Sequence, residues 1–159
     1  GKVEQFQLIQ NTSPHPPEVI AHNMETVERL TPLVRDRRAT YTQSLQLLEW
    51  FSSHRQQHEG VPQLIKTSLM VGLGETEEEL NQTLHALRHA GADILTLGQY
   101  LQPTPKHLEV QEYKHPDWFD AWTIRAKETF GFQGVFAGSF VRSSYKAGAL
   151  YKEILQHTT

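Results

Sequence analysis

Apolar and polar positions change their period several times along this chain, and each change marks an element. The run "EVIAHN" (Glu18–Asn23) reads as a short buried strand whose end carries polar groups. After the turn "VRDRRAT", Tyr41, Leu45, Leu48 and Phe51 recur at helical spacing. Ser53–Glu59 form a polar exit, and Gly60 and Pro62 stop that helix. "LIKTSLMVG" (Leu64–Gly72) is a second strand, followed at once by "LGETEEEL". There Thr76 and Glu79 have the T-x-x-E spacing of a capping box, in which each side chain satisfies a free amide at the helix start. The helix carries Leu80, Leu84 and Leu87 on one face and ends at Gly91. "DILTLGQYLQP" is a third strand, stopped by Pro103 and Pro105. Pro116 suits the first turn of another helix, on which Phe119, Trp122 and Ala126 share a face before Gly131. "FQGVFAG" is a fourth strand, and "KAGALYKEILQ" a last short helix.

Strand–helix alternation with uniformly apolar strands predicts an α/β fold: a parallel sheet covered by helices. In such architectures ligands gather at the carboxyl ends of the strands. Those ends read "HNMET", "GLGET", "GQYLQP" and "GSFVRSSY", all rich in Gly, Asn, Gln, Ser or Arg, whereas the opposite ends are bland. Polar groups therefore converge on one rim, which is where a site belongs.

Composition narrows the chemistry. With 159 residues the chain suffices for one domain with a core, and a net charge of −3 argues against non-specific nucleic-acid binding. Only "VRDRR" (Arg35, Arg37, Arg38) is locally basic, as a solvated turn or an anion contact. No apolar run reaches the ~18 residues of a membrane span, and "GKVEQFQLIQ" lacks a signal-peptide core. The chain has no cysteine, which excludes disulfides, thiolate zinc sites and any iron–sulfur site complete within it. That absence fits a reducing compartment such as the cytoplasm.

Several candidates have a bland reading beside a functional one. "GLGE" (Gly72–Glu75) is either a tight strand-to-helix turn or a place where backbone amides meet an anion; no Walker lysine follows. His54/His58 and His85/His89 have i,i+4 spacing but lack the H-E-x-x-H glutamate, so they read as surface histidines. His22 ends a buried strand and is either a satisfied core histidine or a site donor. Ser143 and Ser144 lack a G-x-S-x-G elbow; in an extended segment their side chains point to opposite faces. Arg142 is otherwise a rim salt bridge and Tyr145 an aromatic cap, while Trp118, Phe119 and Trp122 read as core.

Taken together, "HNMETV", "VRDRRATYTQSL", "KTSLMVGLGET", "ADILTLGQYLQPTPKHL" and "GVFAGSFVRSSYKAG" resemble lipoyl synthase, a radical S-adenosylmethionine (SAM) family. The resemblance runs in register from about His22 to Gly148, with "LTLGQYLQP" and "VRSSYKAG" its most specific parts. It implies a poorly matched segment 1–17 and, over 18–159, the C-terminal half of a partial (β/α)6 TIM-like barrel. The family inserts two sulfur atoms at carbons 6 and 8 of an octanoyl chain carried on a lysine of a lipoyl carrier protein, of the E2 or glycine cleavage H type. It uses SAM and two [4Fe–4S] clusters, one held by a C-x3-C-x2-C motif and one auxiliary.

Carried across, the resemblance gives "SLMVGLGE" a SAM-pocket role through Ser68, Gly72 and Glu75. It sets Gln99, Tyr100 and Leu101 against adenine, and Asn23 at the ribose or the methionine part. In "RSSY" one serine, Ser144 or alternatively Ser143, is an oxygen ligand of the auxiliary cluster, beside Arg142. A serine oxygen holds iron more weakly than a thiolate does, which suits a cluster that is dismantled to donate sulfide. The cysteine triplets lie in the family's N-terminal half, so this chain is expected to bind no cluster and to be inactive alone. A missing N-terminal half, or a second copy, is the expected partner because an open half-barrel exposes strand edges. The compartment implied is the cytoplasm, or a mitochondrion or plastid if a targeting segment precedes. The rival readings are a non-catalytic module that binds the carrier or the cofactor, and an independent phosphate-binding α/β domain built on "GLGE".

Overall fold

The structure is a computed structural model, and it describes residues 17–58 and 61–144. Strand β1 (Val19–Ala21) leads through a 3-10 turn (Glu28–Leu30) and the short α1 (Thr31–Val34) to α2 (Tyr41–Ser53). A small hairpin, β2 (Gln57–His58) and β3 (Val61–Pro62), precedes β4 (Leu64–Val71). Then follow α3 (Glu77–His89), β5 (Ile94–Gln99), α4 (Pro116–Glu128) and β6 (Gly134–Gly138). Strands β1, β4, β5 and β6 form one parallel sheet in that order. A helix crosses over between each neighbouring pair. The result is the expected α/β fold, an arc of a TIM-like barrel. The expected last helix in "KAGALYKEILQ" and Tyr145 lie outside the described residues.

The apolar strands conceal an alternation. On β4, Ile65, Leu69 and Val71 pack with Leu95, Leu97 and Val135 against Leu48, Phe51, Leu80, Leu84, Leu87, Phe119 and Trp122 of the long helices. The other face of the same strand carries Leu64, Lys66, Ser68 and Met70. Its lower end is apolar, where Leu64 and Ile94 pack with Val19 and Phe136. Above them stand Lys66, Ser68, Thr96, Gly98 and Gly138. One face therefore builds the core, and the other is small and polar towards the carboxyl ends.

Helix starts are set locally. Thr76 Oγ1 accepts from the Glu79 amide at 3.2 Å while Glu79 Oε2 accepts from the Thr76 amide at 2.8 Å, completing the expected box. Thr40 and Gln43 form a second box at α2 that the sequence reading did not identify. Helix α2 stops at Ser53, at the first residue of the expected polar exit and well before Gly60 and Pro62. His54 leaves helical geometry, stacks on Trp50 at 4.4 Å and donates from Nδ1 to the Trp50 carbonyl at 2.9 Å. His58 then belongs to the hairpin, so His54 and His58 share no helix face. The third strand ends at Gln99, not at the prolines, because Tyr100 turns into a separate cluster with Val27, Leu30 and Leu73.

At the amino ends of the strands, Asp93 ties the layers together. Its Oδ2 accepts from Arg55 Nη1 at 2.6 Å and from the Ile65 amide at 2.9 Å; its Oδ1 accepts from Gln133 Nε2 at 3.1 Å. Arg88 of α3 stands 3.7 Å away, and the Asp93 side chain is 4% exposed. Removing it leaves two guanidinium groups without their shared carboxylate. Asp93→Ala is expected to cost about 3–5 kcal/mol by urea denaturation, with Asp93→Asn losing less because it keeps an acceptor.

Glu79 also accepts from Arg29 Nε at 2.6 Å and Nη2 at 3.0 Å. The Arg29 contact first, then the Thr76 amide, lower its pKa from 4.5 to about 2. The folded value lies below the unfolded one, so this stabilisation is complete above pH 4.5 and disappears as pH falls towards 2. Stability measured by denaturation across that window should fall less steeply for Glu79→Gln than for the parent chain.

Candidate cofactor site at the carboxyl ends of the strands

Past β1 the chain keeps to the edge of β4. The His22 amide donates to the Lys66 carbonyl, the Glu25 amide to Ser68, and the Met70 amide to Glu25, at 3.0, 2.9 and 2.8 Å. Holding that course forces Glu25 to a φ of +72°, the only positive value at a non-glycine among the described residues. Such a conformation costs about 1–3 kcal/mol, and it persists because sheet bonds on both sides fix it.

Two cavities open along this edge. The first, about 160 Å³, is lined by Ser68, Thr96, Gly98, Gln99, Leu101 and Val141, with Glu25, Arg142 and Ser143 among its remaining walls. The second is more open and is lined by Ala21, His22, Asn23, Glu25, Arg35, Ser143 and Ser144. Glu25 and Ser143 border both, and among the described residues Glu25 is the only carboxylate in either. Its side chain has no hydrogen-bond partner among the described residues. Across the second cavity Arg35 donates to Ser44 Oγ at 2.6 Å and meets no carboxylate among the described residues. His22 Nε2 is buried without a partner among the described residues, and burial, then Arg35, pushes the His22 pKa down. At neutral pH its ring is uncharged and free to hydrogen-bond.

Of the expected site residues, Ser68, Gln99, Leu101, Arg142 and Ser143 meet at the first cavity, and Asn23 and Ser144 at the second. Gly72, Glu75 and Tyr100 line neither. Tyr100 is buried, and its hydroxyl donates to the Leu108 carbonyl at 2.9 Å. The Gln99 side chain braces the chain after β5: Nε2 donates to Glu112 at 3.0 Å and Oε1 accepts from the Lys114 amide at 2.9 Å. Arg142 Nη1 bonds the Val141 carbonyl at 2.8 Å rather than forming a rim salt bridge. Glu25, absent from the sequence-based set, joins the two cavities; its positive φ has no residue-type signature.

The turn "GLGE" is closed on itself. Glu75 accepts from the Gly72 amide at 2.7 Å and the Leu73 amide at 2.9 Å. An anion approaching there would meet occupied amides and Glu77, Glu78 and Glu79 in the first helical turn. This arrangement argues against a phosphate site at that turn. His85 and His89 are exposed on α3, and no three His, Asp or Glu side chains among the described residues are placed to hold a metal ion.

No family model matches the chain. Curated relatives do. It is 52% identical over 136 residues to the chloroplastic lipoyl synthase of Ostreococcus lucimarinus, covering 86% of this chain and 40% of that protein. With the mitochondrial lipoyl synthase of Yarrowia lipolytica the identity is 54% over 137 residues, covering 86% and 37%. With the lipoyl synthase of Myxococcus xanthus it is 53% over 135 residues, covering 85% and 43%. By sequence this chain belongs with the lipoyl synthase family. It spans about two fifths of the length of these relatives.

For a lipoyl synthase segment, the two groups to be tested against these residues are SAM and iron–sulfur clusters. The paired cavities suit the first: an apolar wall at Leu101, an unpaired carboxylate at Glu25 and an orphaned imidazole nitrogen at His22 meet a ligand with apolar, hydroxyl and charged parts. They do not suit a complete cluster. The chain offers serine oxygens but no thiolate. No helix among the described residues is long and apolar enough to cross a membrane.

The Gly72 turn is a sharp test of this geometry. Its φ is +94°, and a Cβ there would lie 2.3 Å from both Gln99 Nε2 and the Glu112 carbonyl. Gly72→Ala is expected to cost about 2–4 kcal/mol by thermal or urea denaturation, because strain and overlap add.

Proposed function

We propose that this chain supplies one part of a lipoyl synthase: a wall of the SAM pocket and the serine segment that reaches the auxiliary [4Fe–4S] cluster. The parent reaction inserts sulfur at carbons 6 and 8 of an octanoyl chain held on a carrier protein of the E2 or glycine cleavage H type. The observation that carries this reading is the convergence of Ser68, Gln99, Leu101, Arg142 and Ser143 on one cavity. Those residues come from the carboxyl ends of three adjacent strands, in a chain 52–54% identical to proteins named lipoyl synthase.

Bound SAM, once reductively cleaved, supplies the hydrogen-abstracting radical. The residues of this chain bind and orient it. Leu101 and the backbone beside Gln99 offer an apolar edge and hydrogen bonds to adenine. Glu25 offers a carboxylate to hydroxyl or ammonium groups, and Asn23 faces the open side, towards the ribose or the methionine part. Gly72, Glu75 and Tyr100 act from behind, holding the turn and the segment after β5 in place. Ser144, or alternatively Ser143, presents the oxygen for iron, with Arg142 beside it.

With no cysteine, the chain is expected to hold no cluster and to turn over nothing by itself. The missing iron ligands make a carrier- or cofactor-binding module the second reading.

The test is complementation. The chain is mixed anaerobically, with iron, sulfide, SAM and a low-potential reductant such as dithionite, with a cysteine-bearing N-terminal part of a lipoyl synthase, and octanoylated carrier domain is followed by mass spectrometry. Lipoyl product should form only in the mixture, and the alanine variant of the ligating serine, Ser144 or alternatively Ser143, should lower it roughly 10–100-fold. A reduced [4Fe–4S] signal by electron paramagnetic resonance from the chain alone would overturn the proposal. Capture of the carrier without product would favour the binding module.

A further inference from the structure

Lysine is an unusual occupant of the second strand in a parallel sheet, and Lys66 is 2% exposed. Its register partners are Ala21 on β1 and Ile94 on β5, neither of which offers a polar side chain. It forms no ion pair among the described residues. Its Nζ instead donates to the backbone carbonyl of Ser143, across 77 positions of sequence. A buried amine needs an acceptor, so this contact fixes the lysine and the serine segment at once.

A second contact lies one strand away. Gly98 of β5 sits in register between Met70 and Gly138. A Cβ at Gly98 would stand 2.3 Å from the Val141 carbonyl oxygen and 3.3 Å from its carbon. The carbonyl lies in a notch that only glycine leaves open. The Val141 amide donates back to Gly138 at 3.1 Å, closing the turn that sends the chain over the sheet.

The geometry points to Lys66 and Gly98 as positioning residues: they clamp the Val141–Ser143 backbone across the polar face of the sheet and so set where the serine pair stands. The clamp accounts for Ser143 bordering both cavities and Ser144 bordering the open one. Burial pushes the Lys66 pKa down, but a neutral amine still donates, so the contact does not depend on its charge. The use made of those serines rests on the proposed function; the clamp does not.

Trypsin reads the clamp directly, because Arg142 lies inside the clamped segment and the bond after it becomes cleavable when the segment lifts. The parent chain, Lys66→Met, Lys66→Arg and Gly98→Ala are compared for cleavage after Arg142 and for amide exchange over residues 141–144. Exchange in β4 and β5 serves as the check on folding. Lys66→Met and Gly98→Ala should each raise cleavage about tenfold or more, with β4 and β5 protection retained. Lys66→Arg, which keeps a donor, should restore slow cleavage. Parent-like cleavage in Lys66→Met would overturn the proposal, as would Lys66→Arg as loose as Lys66→Met. If Lys66→Met does not fold, Gly98→Ala decides: parent-like cleavage there overturns the clamp. No cofactor is present in these measurements, so the clamp and the SAM-pocket reading fail separately.

Discussion

A single buried carboxylate holds the amino ends of this arc. Asp93 joins the entrance of β5 to the Ile65 amide of β4, to Gln133 before β6, to Arg55 after α2 and to Arg88 on α3. That anchorage fixes the lower ends of β4, β5 and the approach to β6 against one another, and the strands stay paired from there to Gln99 and Gly138. The cavities lie at the opposite ends of the same strands. The buried ion-pair network lies below and the candidate site above, the division expected of parallel barrels.

The upper rim is governed by close backbone approach. Gly98 admits the Val141 carbonyl, Gly72 admits the Gln99 side chain and the Glu112 carbonyl, and Glu25 accepts an unfavourable φ to keep its bonds to Ser68 and Met70. These contacts separate two kinds of motif residue: those that face the cavity, such as Leu101, and those that brace it from behind, such as Tyr100 and Glu75.

Much of this was legible in the sequence. Helical spacing at Tyr41, Leu45, Leu48 and Phe51 and at Leu80, Leu84 and Leu87 located two long helices, and the polar strand ends located the rim. The T-x-x-E box marked the start of α3. What escaped was information that residue type does not encode. The hairpin at Gln57–Pro62 escaped because its pairing depends on the Gln63 side chain bridging to Gln56 at 3.2 Å, a contact with no period. Lys66 escaped because it sits in a run that reads as uniformly apolar, and its partner is 77 positions away. The direction of Tyr100 escaped because an aromatic beside a cavity and one turned into a neighbouring cluster look alike in sequence.

Glu25 carries a lesson for anyone redesigning this molecule. A selection for thermal robustness would favour glycine or asparagine there, since either relaxes the left-handed backbone by about 1 kcal/mol. The same change would delete the only carboxylate among the described residues that borders the two cavities. A library screened on melting temperature alone would therefore enrich well-folded molecules with a vacant acceptor position, and the loss would pass unseen until ligand binding was measured.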